Sequence, residues 1–295
     1  MQARMESRPA CSNAGGAPPL DTYLLPRPRK GSMESRRRGA CRRPSMTDLK
    51  GRTVLITGAS TGIGAATAVL MAQAGADVGI NYCRSKAAAE KVARQVRRLG
   101  RRAALLECDV CDPDQAAAMV RAFVRQFGRL DILFANAGGL VKRCPIAKVP
   151  DRLWHQVIAL NLDSVFYTVR AALPHMMKAR RGNIIINSSV AARSGGGGGA
   201  VPYATAKGAL VTFVKGLSKE VAADGIRVNA VAPGVTLTPF HEKYTEPARM
   251  RQFAREIPVG KFGTPEDIAS AVLWLAGETD GFITGETIYL AGGGA

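Results

Sequence analysis

The sequence predicts one doubly wound α/β domain, a parallel seven-stranded sheet with helices on both faces. Three observations carry this. Short runs are apolar at every position, longer segments of helical periodicity alternate with them, and a glycine-rich turn joins the first run to the first helix. A strand that is apolar on both faces needs cover on both sides, which a parallel sheet with crossover helices provides.

The elements are expected in this order. Arg52–Thr57 reads as the first strand and Gly62–Ala74 as a helix of small residues. Asp77–Tyr82 is the second strand, followed by a helix over Lys86–Leu99 that closes on Gly100. Ala103–Glu107, Asp131–Ala135, Asn183–Asn187 and Arg227–Val231 supply four more strands, and Glu286–Leu290 the last. Helical patterns cover Pro113–Phe127, Asp151–Met177, Tyr203–Ala223 and Pro265–Ala276. There is no internal repeat and no second core, so residues 46–295 are expected to form a single domain.

Residues 1–45 differ in composition. They are rich in Pro, Arg, Ser and Gly and lack apolar periodicity, which predicts a disordered basic extension. They hold ten basic and three acidic side chains, a net +7, which leaves +11 of the chain's +18 for the remainder. No apolar h-region follows the arginines, which argues against a secretory signal. Contact with nucleic acid is expected, if anywhere, only through this tail. No apolar run approaches the roughly 18 residues of a membrane-spanning helix, so the reading is a soluble, cytoplasmic protein with no membrane partner.

The six cysteines, at 11, 41, 83, 108, 111 and 144, include one C-x-x-C pair, Cys108 and Cys111. No second pair completes a zinc shell, and His155, His175 and His241 are scattered. No metal is expected, and the cysteines read as reduced packing residues.

The chemistry concentrates in a few motifs. Thr57–Gly58–Ala59–Ser60–Thr61–Gly62–Ile63–Gly64 follows the first strand and opens the first helix. Glycines there allow the tight turn, phosphate approach and close helix–strand contact, and the helix N-terminus offers unpaired N–H groups to a pyrophosphate. Far downstream, Tyr203 and Lys207 stand four apart, which puts a phenol and an ammonium on one helix face. Ser188–Ser189 precedes them across a loop containing five glycines, Gly195 to Gly199.

In this order, with Asn136–Ala137–Gly138 and Pro233–Gly234 between and after them, these motifs resemble the short-chain dehydrogenase/reductase family over residues 46–295. The resemblance implies a single Rossmann-like domain that uses NAD(P) and often forms a homotetramer. It implies hydride transfer between nicotinamide and a carbonyl or secondary alcohol, with 3-oxoacyl-carrier-protein reductases and glucose dehydrogenases as the nearest functional neighbours. Tyr203 would be the acid/base, and Lys207 would tune it and hold the nicotinamide ribose. Ser189 would orient the substrate oxygen, and Asn161 would support a water relay to the lysine. The family's serine stands thirteen residues before the tyrosine, whereas Ser189 stands fourteen before it. The five glycines can absorb the extra residue. A free tyrosine titrates near pH 10, and the neighbouring ammonium and the oxidised nicotinamide are expected to lower it.

For the cofactor, the resemblance assigns Gly58, Ser60, Thr61, Gly62, Ile63 and Gly64 to the pyrophosphate turn and Asp109 and Val110 to adenine. Asn136, Ala137 and Gly138 would line the adenosine ribose; Pro233, Gly234, Thr236 and Thr238 would close over nicotinamide. The second strand ends without a carboxylate, in Cys83–Arg84–Ser85, and Arg84 and Ser85 suit a 2′-phosphate. This favours NADP(H), with NAD(H) as the alternative, although Thr61 stands where NADP-using members often carry arginine. Residues 239–258 are expected to form a polar substrate lid, with Lys142, Arg143 and Arg193 near its mouth. The competing readings are a dinucleotide-binding regulator with idle chemistry and an NAD-preferring sugar or polyol dehydrogenase.

Overall fold

The computed structural model describes residues 48–277 and 281–294, so the expected basic extension over residues 1–45 lies outside the described residues. Seven strands run in chain order: β1 (Thr53–Ile56), β2 (Asp77–Tyr82), β3 (Ala103–Glu107), β4 (Ile132–Ala135), β5 (Gly182–Asn187), β6 (Ile226–Pro233) and β7 (Thr287–Leu290). They form one sheet in the order β3-β2-β1-β4-β5-β6-β7, every neighbouring pair parallel.

Alternation along the strands divides the core in two. Leu55, Leu133, Ile184 and Ile186 point to one face, where α3 (Pro113–Phe127), α5 (Ser164–Ala179) and α7 (Val201–Val221) cover them. Val54, Ile56, Ile132, Phe134 and Ile185 point to the other face, under α1 (Gly62–Gln73), α2 (Lys86–Arg98) and α10 (Pro265–Ala276). Each central strand therefore reads as a continuous apolar run because both of its faces are buried.

The strand order reverses at β1, whose two neighbours are β2 and β4. In a doubly wound sheet, ligands sit at the carboxyl ends of the strands beside such a switch point. The loops after β1, β2, β3, β4, β5 and β6 carry all the cofactor-binding motifs named above, so the topology gathers them along one edge.

Two differences from the expected elements bear on the site. The helix predicted over Asp151–Met177 is interrupted: α4 (Asp151–Ile158) passes through a π-helical turn (Ala159–Asp163) before α5 begins. The expected lid is not an irregular loop but two short helices, α8 (Pro239–Tyr244) and α9 (Pro247–Glu256). A further short helix, α6 (Ala191–Ser194), follows the serine pair.

Candidate active site

The glycine turn is built by polar side chains from neighbouring strands. Asn81, in an otherwise apolar β2, accepts from Gly58 N at 3.0 Å and donates to the carbonyls of Leu106 and Cys108. The Thr57 hydroxyl accepts from the main-chain nitrogens of Asn136 and Ala137 at 2.9 and 3.0 Å. Asn136 Nδ2 returns to the carbonyls of Thr57 and Gly58. These bonds lock the turn after β1 to the Asn136–Gly138 segment after β4. A side chain at Gly64 would run into the Gly58 carbonyl and would come within 2.7 Å of Asn136 Nδ2, so only glycine fits there.

This edge suits a dinucleotide. Helix α10 starts in a complete capping box between Thr264 and Asp267, whereas α1 has no side-chain cap and no acidic residue in its first turn. Its first N–H groups are thus directed at the space beside the glycine turn, where a pyrophosphate would satisfy them. Thr238 closes that space from the other side: a Cβ built at Gly62 meets the Thr238 methyl at 3.4 Å. Thr238 in turn donates to the Thr236 carbonyl at 3.3 Å, and Thr236, which is buried, donates to the Gly234 carbonyl at 3.1 Å. Gly234, directly after Pro233, donates to the Leu290 carbonyl at 2.9 Å. Residues Ser60, Thr61 and Ile63 complete the turn.

The remaining cofactor candidates lie along the same edge. Arg84 and Ser85 are exposed just beyond β2. Asp109 is exposed after β3, its carboxylate accepting from Cys111 N at 3.0 Å, while Val110 is buried. Cys108 and Cys111 are free thiols that burial, reinforced by the Asp109 charge, pushes up to about 12, which leaves them unreactive. Among the described residues, no group of three His, Cys, Asp or Glu side chains could hold a metal ion. A cavity of about 500 Å³ between α1, α2 and α10 reaches this edge only through Gly62 and Pro239 and contains none of the catalytic candidates.

Tyr203, Lys207, Ser189 and Asn161 come together at the ends of β4 and β5. Lys207 is buried and its Nζ donates to the Asn187 carbonyl at 2.6 Å, 5.8 Å from the centre of the Tyr203 ring. Asn187 Nδ2 donates to Asn136 Oδ1, which ties the lysine's partner to the turn after β4. The Ser189 hydroxyl accepts from Ala191 N at 3.1 Å and acts on the Tyr203 phenol, favouring its ionised form. Ser188 faces away and donates to the Lys207 carbonyl at 2.9 Å. The five glycines before α7 all have positive φ, between 52° and 76°, which explains why the loop that carries the extra residue is made of glycine.

The π-helical turn places Asn161. The side chain is fully buried and donates to the carbonyls of Val157 and Gly139, while accepting from Gly139 N at 3.0 Å. A side chain on Gly138 would come within 2.8 Å of Asn161 Oδ1 and 3.1 Å of Lys207 Nζ. These two polar groups therefore converge on one bare stretch of backbone.

In the chain alone, burial dominates the electrostatics of the site. Burial holds the Tyr203 phenol above its ordinary value, and the Ser189 hydrogen bond is the one opposing influence. Burial also brings the Lys207 ammonium down to about 7. Lys207 Nζ is held by the Asn187 carbonyl, 5.8 Å from the centre of the Tyr203 ring. Arg193, expected near the mouth, instead stacks 4.0 Å over the Tyr289 ring.

Sequence reasoning did not find Asn81, Thr57 or Asn187 as builders of the site, nor Phe240 as a neighbour of Tyr203, at 5.8 Å between ring centres. An asparagine within an otherwise apolar strand was the available signal for Asn81 and for Asn187.

A half-buried phenol and serine and a buried lysine next to a dinucleotide cradle suit an oxidoreductase, and comparison with known proteins gives that class. A family model described as enoyl-(acyl carrier protein) reductase matches residues 58–294. The chain is 38% identical over 245 residues to the 3-oxoacyl-(acyl-carrier-protein) reductase FabG of Thermotoga maritima, covering 83% of this chain and 98% of that protein. It is also similar to a solved 7α-hydroxysteroid dehydrogenase complexed with NADH and 7-oxo glycochenodeoxycholic acid, with a TM-score of 0.81 and 30% identity over 85% of this chain and 98% of the other. A short-chain dehydrogenase from Burkholderia cenocepacia in complex with NADP gives a TM-score of 0.78 and 30% identity over 84% of this chain and 99% of that one. The chain belongs to the short-chain dehydrogenase/reductase family, and it is an NAD(P)-dependent oxidoreductase acting on CH–OH groups. Among the described residues, no helix is long and apolar enough to cross a membrane.

Proposed function

We propose that this protein is an NADP(H)-dependent reductase of ketones, or dehydrogenase of the corresponding secondary alcohols, with Tyr203 as its acid/base. The substrate would be a 3-oxoacyl thioester or a sugar-type carbonyl compound. The observation that carries the reading is the buried Lys207 ammonium 5.8 Å from the centre of the Tyr203 ring, with Ser189 acting on the same phenol.

Bound nicotinamide supplies the hydride donor or acceptor. The chain's own residues handle the oxygen. In reduction, the Ser189 hydroxyl holds the carbonyl oxygen and stabilises the charge that develops on it. Tyr203 gives that oxygen its phenolic proton; in oxidation it takes the proton back. The raised value of the phenol keeps it protonated at neutral pH, which suits the acid role first. Lys207 holds the ribose edge and, when protonated, favours the phenolate. Asn161 fixes Gly139 and lies beside Lys207, where it orders the route by which water resupplies the proton.

The cofactor preference rests on Arg84 and Ser85, exposed after a strand that ends without a carboxylate. Residues 46–295 act as one catalytic domain, assembled in the cytoplasm as a homotetramer.

The test is a substrate panel of ketones and alcohols followed by NADPH and NADH absorbance, with Tyr203→Phe in parallel. The variant should bind cofactor normally and lose turnover by orders of magnitude. Normal turnover in the variant would show that another group moves the proton. A wild-type protein that binds NADPH and turns over no member of the panel would favour the regulator.

A further inference from the structure

We infer that Arg143 is a positioning residue for this reaction: from a turn at Val141 it bolts the substrate lid, residues 239–258, to the glycine loop, residues 195–199, and so fixes the aromatic wall beside Tyr203. The kinetic part of this inference rests on the proposed role of Tyr203; the structural part stands without it.

The guanidinium reaches two segments that are far from it in sequence. Its Nε donates to the Tyr244 carbonyl at 2.8 Å, at the end of α8. Its Nη1 donates to the Gly198 carbonyl at 3.1 Å and, more weakly, to that of Gly197 at 3.4 Å. The next residue adds a main-chain bond in the same place, Cys144 N donating to the Gly199 carbonyl at 2.9 Å. A Cβ on Gly199 would meet Cys144 N at 2.8 Å, so the glycine loop lies directly against this segment.

What the bolt holds is next to the chemistry. Tyr244, whose carbonyl takes the Nε bond, packs its ring against Phe240 one helical turn earlier, with centres 5.2 Å apart. Phe240 in turn packs against Tyr203 at 5.8 Å. The glycine loop is the segment that spaces Ser189 from Tyr203. One side chain thus restrains both flanks of the reacting phenol.

The backbone that aims Arg143 is strained. Val141 has φ 64°, and Lys142 N donates to the Leu140 carbonyl at 2.8 Å, closing a γ-turn over it. A β-branched residue disfavours this conformation, and such strain persists where the surroundings impose it, commonly at functional sites. Arginine is specifically suited to the task, because a planar fork can serve two carbonyls in different directions. A lysine is a point charge on a flexible stem and cannot reproduce that geometry.

The experiment uses the full chain as wild type, Arg143→Lys and Arg143→Gln, the last keeping a planar amide without charge. Amide hydrogen exchange should speed up in both residues 195–199 and residues 239–258 in both variants. The Michaelis constant for the carbonyl substrate should rise about tenfold or more, as expected for loss of paired hydrogen bonds to a charged group, while the dissociation constant for NADPH changes less than about twofold. Wild-type behaviour in Arg143→Lys would overturn the inference, since charge alone would then suffice. Faster exchange in only one of the two segments would overturn it as well. Joint loosening of both segments in a protein whose Tyr203→Phe variant is fully active would support the bolt while removing the acid/base reading.

Discussion

Ser188 donates to the main-chain carbonyl of Lys207 at 2.9 Å, while Ser189, the next residue, turns its hydroxyl to Ala191 N and acts on the Tyr203 phenol, lowering its value against burial. Adjacent residues leaving a strand point in opposite directions. The pair therefore divides, one serine on the side of the candidate acid/base and the other holding the helix that carries the lysine.

Ser189→Ala should lower kcat by roughly 10²–10³, the usual effect of losing one donor to a developing oxyanion. Ser188→Ala should cost about 0.5–1.5 kcal/mol of stability, by losing one buried hydrogen bond to a helix carbonyl that keeps its helical partner, with kcat changed little. Steady-state kinetics and thermal melts of the two variants separate the roles. A reversed pattern would assign the substrate contact to Ser188.

The pH dependence follows from burial. Tyr203 sits above its ordinary value, so its acid form prevails through neutral pH, and the phenolate fraction grows about tenfold for each pH unit below that value. Carbonyl reduction should stay level or decline as pH rises from about 6 to 9, and alcohol oxidation should increase. Measured kcat/KM in both directions tests the sign; oxidation that slows with rising pH would count against a phenolic base. Lys207 adds a stability term. Its folded value is depressed to about 7 from 10.5, so between those two values the unfolded chain binds the extra proton and unfolding free energy climbs with pH. Lys207→Met should flatten that climb in denaturant titrations.

Gly138 is constrained by what surrounds it rather than by its backbone angles. A methyl group there would press on Asn161 Oδ1 at 2.8 Å and Lys207 Nζ at 3.1 Å, both held by short hydrogen bonds. Gly138→Ala should cost about 1–3 kcal/mol through overpacking. Because the displaced groups include the lysine, it should reduce kcat as well as Tm. A variant with wild-type kcat would mean that the lysine can move aside without consequence.

The parallel sheet and the chain positions of its strands were legible because burial on both faces leaves largely apolar runs such as Ile132–Ala135 and Asn183–Asn187, and parallel connections force helices between them. The juxtaposition of the candidate pair was legible because a spacing of four survives any local detail of a helix, and Tyr203 and Lys207 do share a face. The π-helical turn at Asn161 was not, since it adds no residue type that a helical pattern would reject. The charge balance at Tyr203 was also hidden. Sequence gives the distance along a helix between phenol and ammonium, but not the Asn187 carbonyl that holds Lys207 Nζ. Likewise, Arg193 was one basic residue among several until its ring partner, Tyr289, was known.

The cofactor preference can be tested at a single position. Arg84 is exposed immediately after β2, and no carboxylate stands at the strand's end to hold a ribose diol or repel a phosphate. If the guanidinium binds the 2′-phosphate, it does so at a solvent-facing site, where a charge-assisted bond is partly screened. Arg84→Ala should then raise the Michaelis constant for NADPH about tenfold, the equivalent of roughly 1.4 kcal/mol, and leave that for NADH nearly unchanged. The NADPH effect should also shrink as salt is added. Equal losses with both cofactors, or a salt-independent effect, would mean that Arg84 supports the turn and that selection between the two nucleotides lies elsewhere.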